Sequence, residues 1–138
     1  MAQLQRMVVN TDKATRPIGP YSQAIRVRAS ELVFVAGHTG LDANGDLVGA
    51  GDAAAQTKQT FENIRQVLLS VGVSMSNVVE FVTYLVGKES IQPFRQARDE
   101  AFATLYPGGG YPTNTLLIVE ALVLDELLVE IKAIAALP

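Results

Sequence analysis

The 138-residue chain contains no cysteine, which excludes disulfides, thiolate nucleophiles and cysteine-ligated metals. Histidine occurs once, at His38, so the usual multi-histidine zinc sites are excluded as well and no metal is expected. Charge is sparse at 18% of residues, with a formal net charge of −3. The longest basic cluster is Arg26-Val27-Arg28, so the electrostatic footprint of a nucleic-acid binder is missing. No apolar run reaches the ~18 residues that a membrane helix needs. The opening residues hold no apolar core long enough for an export signal, which makes a cytoplasmic location the default expectation.

What is present is apolar. Hydrophobic residues make up 49% of the chain, too many for a disordered segment and enough to suggest that some apolar surface is buried by association. The length suits one domain, expected over residues 1–138.

The end of the chain carries the strongest pattern. Two apolar runs, residues 115–123 and 127–135, flank Asp125-Glu126 and read as a hairpin. In the second run Leu127, Val129, Ile131, Ala133 and Ala135 alternate with Leu128, Glu130, Lys132 and Ile134, the period of a strand. Upstream, residues 6–9 read as an edge strand. Residues 22–28 and 32–37 read as a hairpin whose second strand, apolar throughout, is expected to be central. A glycine-rich loop is expected over 38–50. Asp52 is the expected N-cap of a helix reaching residue 70, with Phe61, Ile64, Val67, Leu68 and Val71 as its apolar stripe and Gly72 closing it. Residues 77–87 read as a further strand. Ser90 is the expected cap of a second helix with Pro93 in its first turn and Ile91, Phe94, Ala101, Phe102 and Leu105 on its buried side. The glycines at 108–110 end it.

This order, β-β-β-α-β-α-β-β, gives an α+β domain: a mixed sheet of about six strands with two helices on one face. Nothing remains in the chain to cover the other face. Burial of one Leu or Val is worth about 1.5–3 kcal/mol, so an uncovered apolar face predicts a homo-oligomer with clefts between its copies.

Several residues are candidates for chemistry, each with a plainer alternative. Glu130 lies amid apolar neighbours, where its charge needs a partner. It is either a water-positioning acid or base or half of an ion pair, with Lys132 on the same face or with an arginine of a neighbour. Asn114, after Pro112-Thr113, is either a turn-capping side chain or a ligand-facing amide. Tyr21, held by Pro17-Ile18-Gly19-Pro20, is a packing aromatic or a pocket wall. His38 is a loop hydrogen-bonder or a group titrating near neutrality. Arg26, Arg28 and Arg98 are solvated charge unless a tip reaches the cleft.

These residues resemble a known family. Ile18-Gly19-Pro20-Tyr21-Ser22-Gln23-Ala24 resembles the opening motif of the Rid proteins, the reactive-intermediate deaminases, also called YjgF or UK-type proteins. Val35-Ala36-Gly37, the helix segment Gln56 to Asn63-Ile64, Tyr111-Pro112 and Val129-Glu130-Ile131-Lys132-Ala133-Ile134-Ala135 resemble its later motifs. The resemblance covers about residues 5–137. It implies a chorismate-mutase-like fold, a homotrimer with sites between subunits, and cofactor-free hydrolysis of small enamines or imines to keto compounds and ammonia. By position it implies Glu130 as the group handling water, with Tyr21 and Gly37 in the substrate pocket. The family's carboxylate-binding arginine falls at Asn114, and its frequent cysteine at Leu116. An amide lacks the charge and the fork of a guanidinium, so the expected substrate is other than a simple 2-imino acid. A non-catalytic small-molecule-binding or chaperone-like trimer is the alternative. A ribonuclease fits the acidic balance poorly.

Overall fold

The computed structural model describes residues 4–138; residues 1–3 of the expected 1–138 domain lie outside the described residues. Six strands and two main helices follow in the predicted order: β1 (Gln5–Val9), β2 (Ala24–Arg28), β3 (Glu31–Thr39), α1 (Ala53–Ser70), β4 (Val78–Val86), α2 (Ile91–Leu105), β5 (Thr113–Val119) and β6 (Val129–Leu137). The strands divide into a four-stranded mixed sheet of order β3-β6-β4-β5 and a two-stranded antiparallel ribbon of β1 and β2.

The period-two alternation of β6 organises the larger sheet. Val129, Ile131, Ala133 and Ala135 are all buried and meet the apolar stripes of both helices in one core. The alternate residues Glu130, Lys132 and Ile134 therefore stand on the helix-free face. From α1 come Phe61, Ile64 and Leu68, and from α2 Phe94, Ala97 and Phe102, all buried. The Asp52 carboxylate caps α1 by accepting from the Ala55 amide at 3.0 Å. Val71 departs from its expected place in the stripe: it is the C-cap, 48% exposed, and Gly72 follows with φ +80, a conformation glycine adopts without penalty. Ser90 precedes α2 but does not cap it with its side chain; its hydroxyl donates back to the Val86 carbonyl at 2.6 Å.

Four expectations need correction. β5 and β6 do not form a hairpin. β5 lies parallel to β4, delivered there by the α2 crossover, and both flanks of β6 are occupied, antiparallel, by β3 and β4. β2 and β3 do not form a hairpin either, because β2 pairs with β1 while the backbone at Ser30 already bonds to Leu137 beyond the ladder of β3 and β6. β3 is an edge strand and not a central one: its apolarity serves two faces, with Val35 buried under α1 but Leu32 and Phe34 exposed at 50% and 73%. Finally, His38 and Thr39 belong to β3, so the glycine-rich loop begins after them.

Two polar residues of α1 fasten that loop and the turn before β6. Gln56 is fully buried; its Nε2 donates to the Gly49 and Glu126 carbonyls at 3.0 and 3.1 Å, and its Oε1 accepts from the Leu128 amide at 2.8 Å. Asn63 Nδ2 donates to the Thr39 and Leu41 carbonyls at 3.1 and 2.7 Å. These motif residues hold backbone. Gln56→Leu leaves three part-buried backbone groups without their partner and is expected to cost about 1–3 kcal/mol, read as a lower urea midpoint; an unchanged midpoint would show that the three bonds carry no net stability.

At the other end of the core, Tyr106 donates its hydroxyl to the Met75 carbonyl at 2.7 Å, and burial pushes its ionisation above the ordinary tyrosine range. With the folded value raised above the unfolded one of about 10, its contribution to stability is whole below that pH and is lost above it. Alkaline titration followed at the tyrosinate absorbance should therefore show one of the four tyrosines ionising only as the protein unfolds.

Candidate functional site

Asn114 stands second in β5, opposite Phe81 of the core. Ladder partners point to one side of a sheet, so its side chain lies on the helix side. There buried Thr83 donates its hydroxyl to Asn114 Oδ1 at 2.9 Å. The free end of Asn114 is then its NH2 group, a donor.

Tyr21 is brought to the same place by backbone bonds. Ser22 Oγ donates to the Tyr111 carbonyl at 2.5 Å and the Ser22 amide to the Pro112 carbonyl at 3.2 Å. Tyr111 is itself fixed by stacking on Phe102, ring centres 5.9 Å apart. The prolines fold the preceding segment back, so that the Tyr21 amide donates to the Gly19 carbonyl at 2.9 Å and the Ile18 amide to the Tyr21 hydroxyl at 3.2 Å. That hydroxyl accepts one bond and retains its own proton to donate.

Tyr21, Asn114 and Leu116 line one cleft of about 270 Å³ with Ile18, Gly19, Arg95 and Arg98. Of the three arginines considered from sequence, only Arg98 reaches it. Arg26 and Arg28 lie exposed on β2 and outside the cleft's lining. Arg98 is only 8% exposed; it stacks on Phe94 at 5.4 Å, and its Nε and Nη2 each approach Asp99 Oδ1 at 3.1 Å. Arg95 was legible as the residue one turn earlier on the same side of α2, a pair at i and i+3.

Glu130 and Gly37 come together elsewhere. Glu130 pairs across the sheet with Thr39 and Tyr84, on the helix-free face. A β-carbon at Gly37 would stand 2.9 Å from the Glu130 carboxyl carbon, so glycine is what lets that carboxylate lie along the β3 backbone. Among the described residues Glu130 forms no ion pair, with Lys132 or any other group. Val82, Tyr84 and Ile134 around it are half-exposed, and nearby Phe34 and Leu117 are exposed at 73% and 44%. His38 pairs with Ile131 of the core, so it points to the opposite side from Glu130, into a shallow cleft it shares with Leu41, Asp42, Asn63 and Gln66. Among the described residues the candidates thus fall into two separate places. A cleft lined with donors (Asn114, Tyr21, Arg98) lies on the helix side, and a carboxylate (Glu130 over Gly37) lies on the open face. No group of three or more His, Cys, Asp or Glu suited to a metal occurs among the described residues.

Comparison with known proteins places this architecture. The family model described as endoribonuclease L-PSP matches residues 11–137. The chain belongs to this family, the Rid proteins. A RutC family protein of Pyrococcus abyssi is 35% identical over 132 residues, 96% of this chain and 98% of that one. A mouse 2-iminobutanoate/2-iminopropanoate deaminase is 30% identical over 135 residues, covering 98% of this chain and 94% of its own. Among solved structures, the Rid-family protein YyfB of Yersinia pestis superposes with a TM-score of 0.84 at 32% identity, over 96% of this chain and 98% of that chain. The fold is therefore the Rid fold, and no helix among the described residues is long and apolar enough to cross a membrane.

Gly37→Ala tests the packing of the carboxylate. The atom displaced is the flexible end of Glu130, so the melting temperature should stay within about 3 °C of the parent, while a crystal structure of the variant shows the carboxylate swung away from position 37. A fall much larger than this would mean that the backbone yields instead.

Proposed function

We propose that this Rid protein catalyses the hydrolytic deamination of a small reactive imine or enamine, without a cofactor, at sites formed where copies of the chain meet in a homotrimer. The observation that carries this reading is Glu130: a carboxylate without an ionic partner among the described residues, laid against a glycine that makes room for it, on a sheet face rimmed by exposed apolar side chains. Packing that face against the edge of the next copy would bury its apolar rim, at about 25 cal/mol for each Å² removed from water. It would also bring Glu130 towards the neighbour's Asn114 and Tyr21. The relatives named as imine deaminases support the chemistry.

In this mechanism an enamine first takes a proton on carbon and becomes the imine. Asn114 NH2 and the Tyr21 hydroxyl hold the substrate's acceptor atoms, with Gly37 and Leu116 as pocket walls. Glu130 accepts a proton from water as the oxygen bonds to the carbon of the protonated imine, and the C=N electron pair moves onto nitrogen, which becomes a neutral amine. The proton then passes from Glu130 to that nitrogen; as the C–N bond breaks, the carbinol O–H gives its proton to the freed Glu130 carboxylate, which leaves a carbonyl product and ammonia, and the ammonia takes up that last proton as ammonium. His38 faces away from this pocket and takes no part in the step. With Asn114 in place of the family's arginine, the substrate is other than a simple 2-imino acid. A ribonuclease suits the chain less well: its net charge is −3, and a cleft of about 270 Å³ offers no groove for a strand.

The test is to generate a panel of imines in situ, carboxylate-free ones with an amine oxidase and 2-imino acids with simple and with functionalised side chains with amino-acid oxidases, and to follow their capture by semicarbazide. The intact protein should cut the trapped fraction by speeding imine decay, and Glu130→Gln should lower the rate at least about a hundredfold, as loss of a general base does. No acceleration across a panel of imines, with tight binding of one of them, would leave a binding protein in place of an enzyme. Light scattering should give three times the mass of one chain; a stable monomer would remove the shared site.

A further inference from the structure

We propose that the Asn114 cleft is an anion subsite whose positive charge comes from α2, through Arg98 and Arg95, and that it selects imino acids bearing a second carboxylate remote from the imine carbon. The substrate half of this assignment rests on the deaminase reading; the anion half rests on the cleft alone.

Every polar group that lines the cleft presents a donor. Thr83 occupies Asn114 Oδ1, which turns the NH2 group outward. The Tyr21 hydroxyl accepts from Ile18 and keeps its proton available. Arg98 spends Nε and Nη2 on Asp99, and its Nη1 makes no hydrogen bond among the described residues. Arg95 is exposed at the cleft's rim and forms no ion pair among the described residues. Of the two guanidiniums only Arg98 meets a carboxylate, that of Asp99, whose side chain is 61% exposed and outside the cleft's lining. A buried cation beside so wet a partner is poorly compensated, and an arriving carboxylate compensates it with the fork geometry guanidinium favours. The donors come in two groups on two elements: the neutral amide of β5 and the cations of α2. A ligand with two separated acceptor groups satisfies both. A 2-imino acid with an acidic side chain has them: its own carboxylate for Asn114 and Tyr21, its distal one for Arg98 and Arg95.

Two measurements test this. Calorimetric titration with glutarate, an unreactive dicarboxylate, should show binding to the intact protein that weakens about tenfold or more, the worth of one charge-assisted bond, in Arg98→Gln and in Arg95→Gln. Arg95 is exposed, so the second variant keeps the fold if the first does not. Kinetics should then compare the imines formed from glutamate and from leucine. Arg98→Gln should raise KM for the acidic imine about tenfold with kcat held, the pattern of lost binding, raise KM for the neutral imine by a much smaller factor, and be partly rescued by Arg98→Lys. Failure of glutarate to bind, or equal binding by intact protein and both variants, overturns the anion subsite. Equal effects of Arg98→Gln on both imines overturn the selectivity. If the intact protein accelerates neither imine, the deaminase reading and the substrate assignment fall, while the titration still decides the subsite.

Discussion

Strand β6, with a neighbour hydrogen-bonded on each side, is the constraint on which the rest of the molecule depends. Val129, Ile131, Ala133 and Ala135 point into the core with almost no exposure, so a slip of one residue would carry the whole set to the other face. The same alternation leaves Glu130 no choice of side. It must emerge on the helix-free face, with Tyr84 beside it on β4 and Thr39 on β3. A carboxylate in the middle of an apolar strand follows from a register that the core enforces.

Asn114 is governed by a different element and so reaches a different side. The α2 crossover sets β5 parallel to β4, and Asn114 shares its face with buried Thr83. The aromatic cluster of Phe61, Phe81, Phe102, Tyr106 and Tyr111 steadies the approach to β5, and Ser22 ties the Tyr21 segment to it. The core therefore sets a donor-lined cleft at the edge of the sheet and a carboxylate on its open face. We propose that repetition of the chain around an axis joins them, and that the apolar face around Phe34 and Leu117 supplies the adhesion.

Much of this was legible in the sequence, for identifiable reasons. Helix α1 and strand β6 were readable because each carries an apolar period, 3.6 from Phe61 to Leu68 and 2 from Val129 to Ala135, beside clear stops: Asp52 and Gly72 for the helix, the acidic turn before the strand. Pairing was less legible. Residues 115–123 and 127–135 are adjacent in sequence and equally apolar, but which strand a segment joins is decided by the crossover before it and by vacancies in the sheet. β3 misled for a related reason: an edge strand that is apolar on both faces has the composition of a central one. Of the candidate residues, Arg98 shows the limit most clearly. Its place one turn from Phe94 was visible, yet only the fold shows that this turn borders the cleft holding Asn114 and Tyr21. Gln56 and Asn63 belong to a motif that carries family identity, and their work is to hold loops.

The central claim is that Glu130 of one copy completes the cleft of another, and complementation between two damaged chains tests it most directly. Glu130→Gln removes the carboxylate, and Asn114→Asp puts a negative charge among the cleft's donors. Each variant alone should be inactive. When the two are unfolded together and refolded as a mixture, the account predicts that imine hydrolysis returns, because mixed assemblies contain interfaces where an intact Glu130 faces an intact cleft. If the mixture forms mixed assemblies yet stays as inactive as its components, each site is built within a single chain and the account is contradicted.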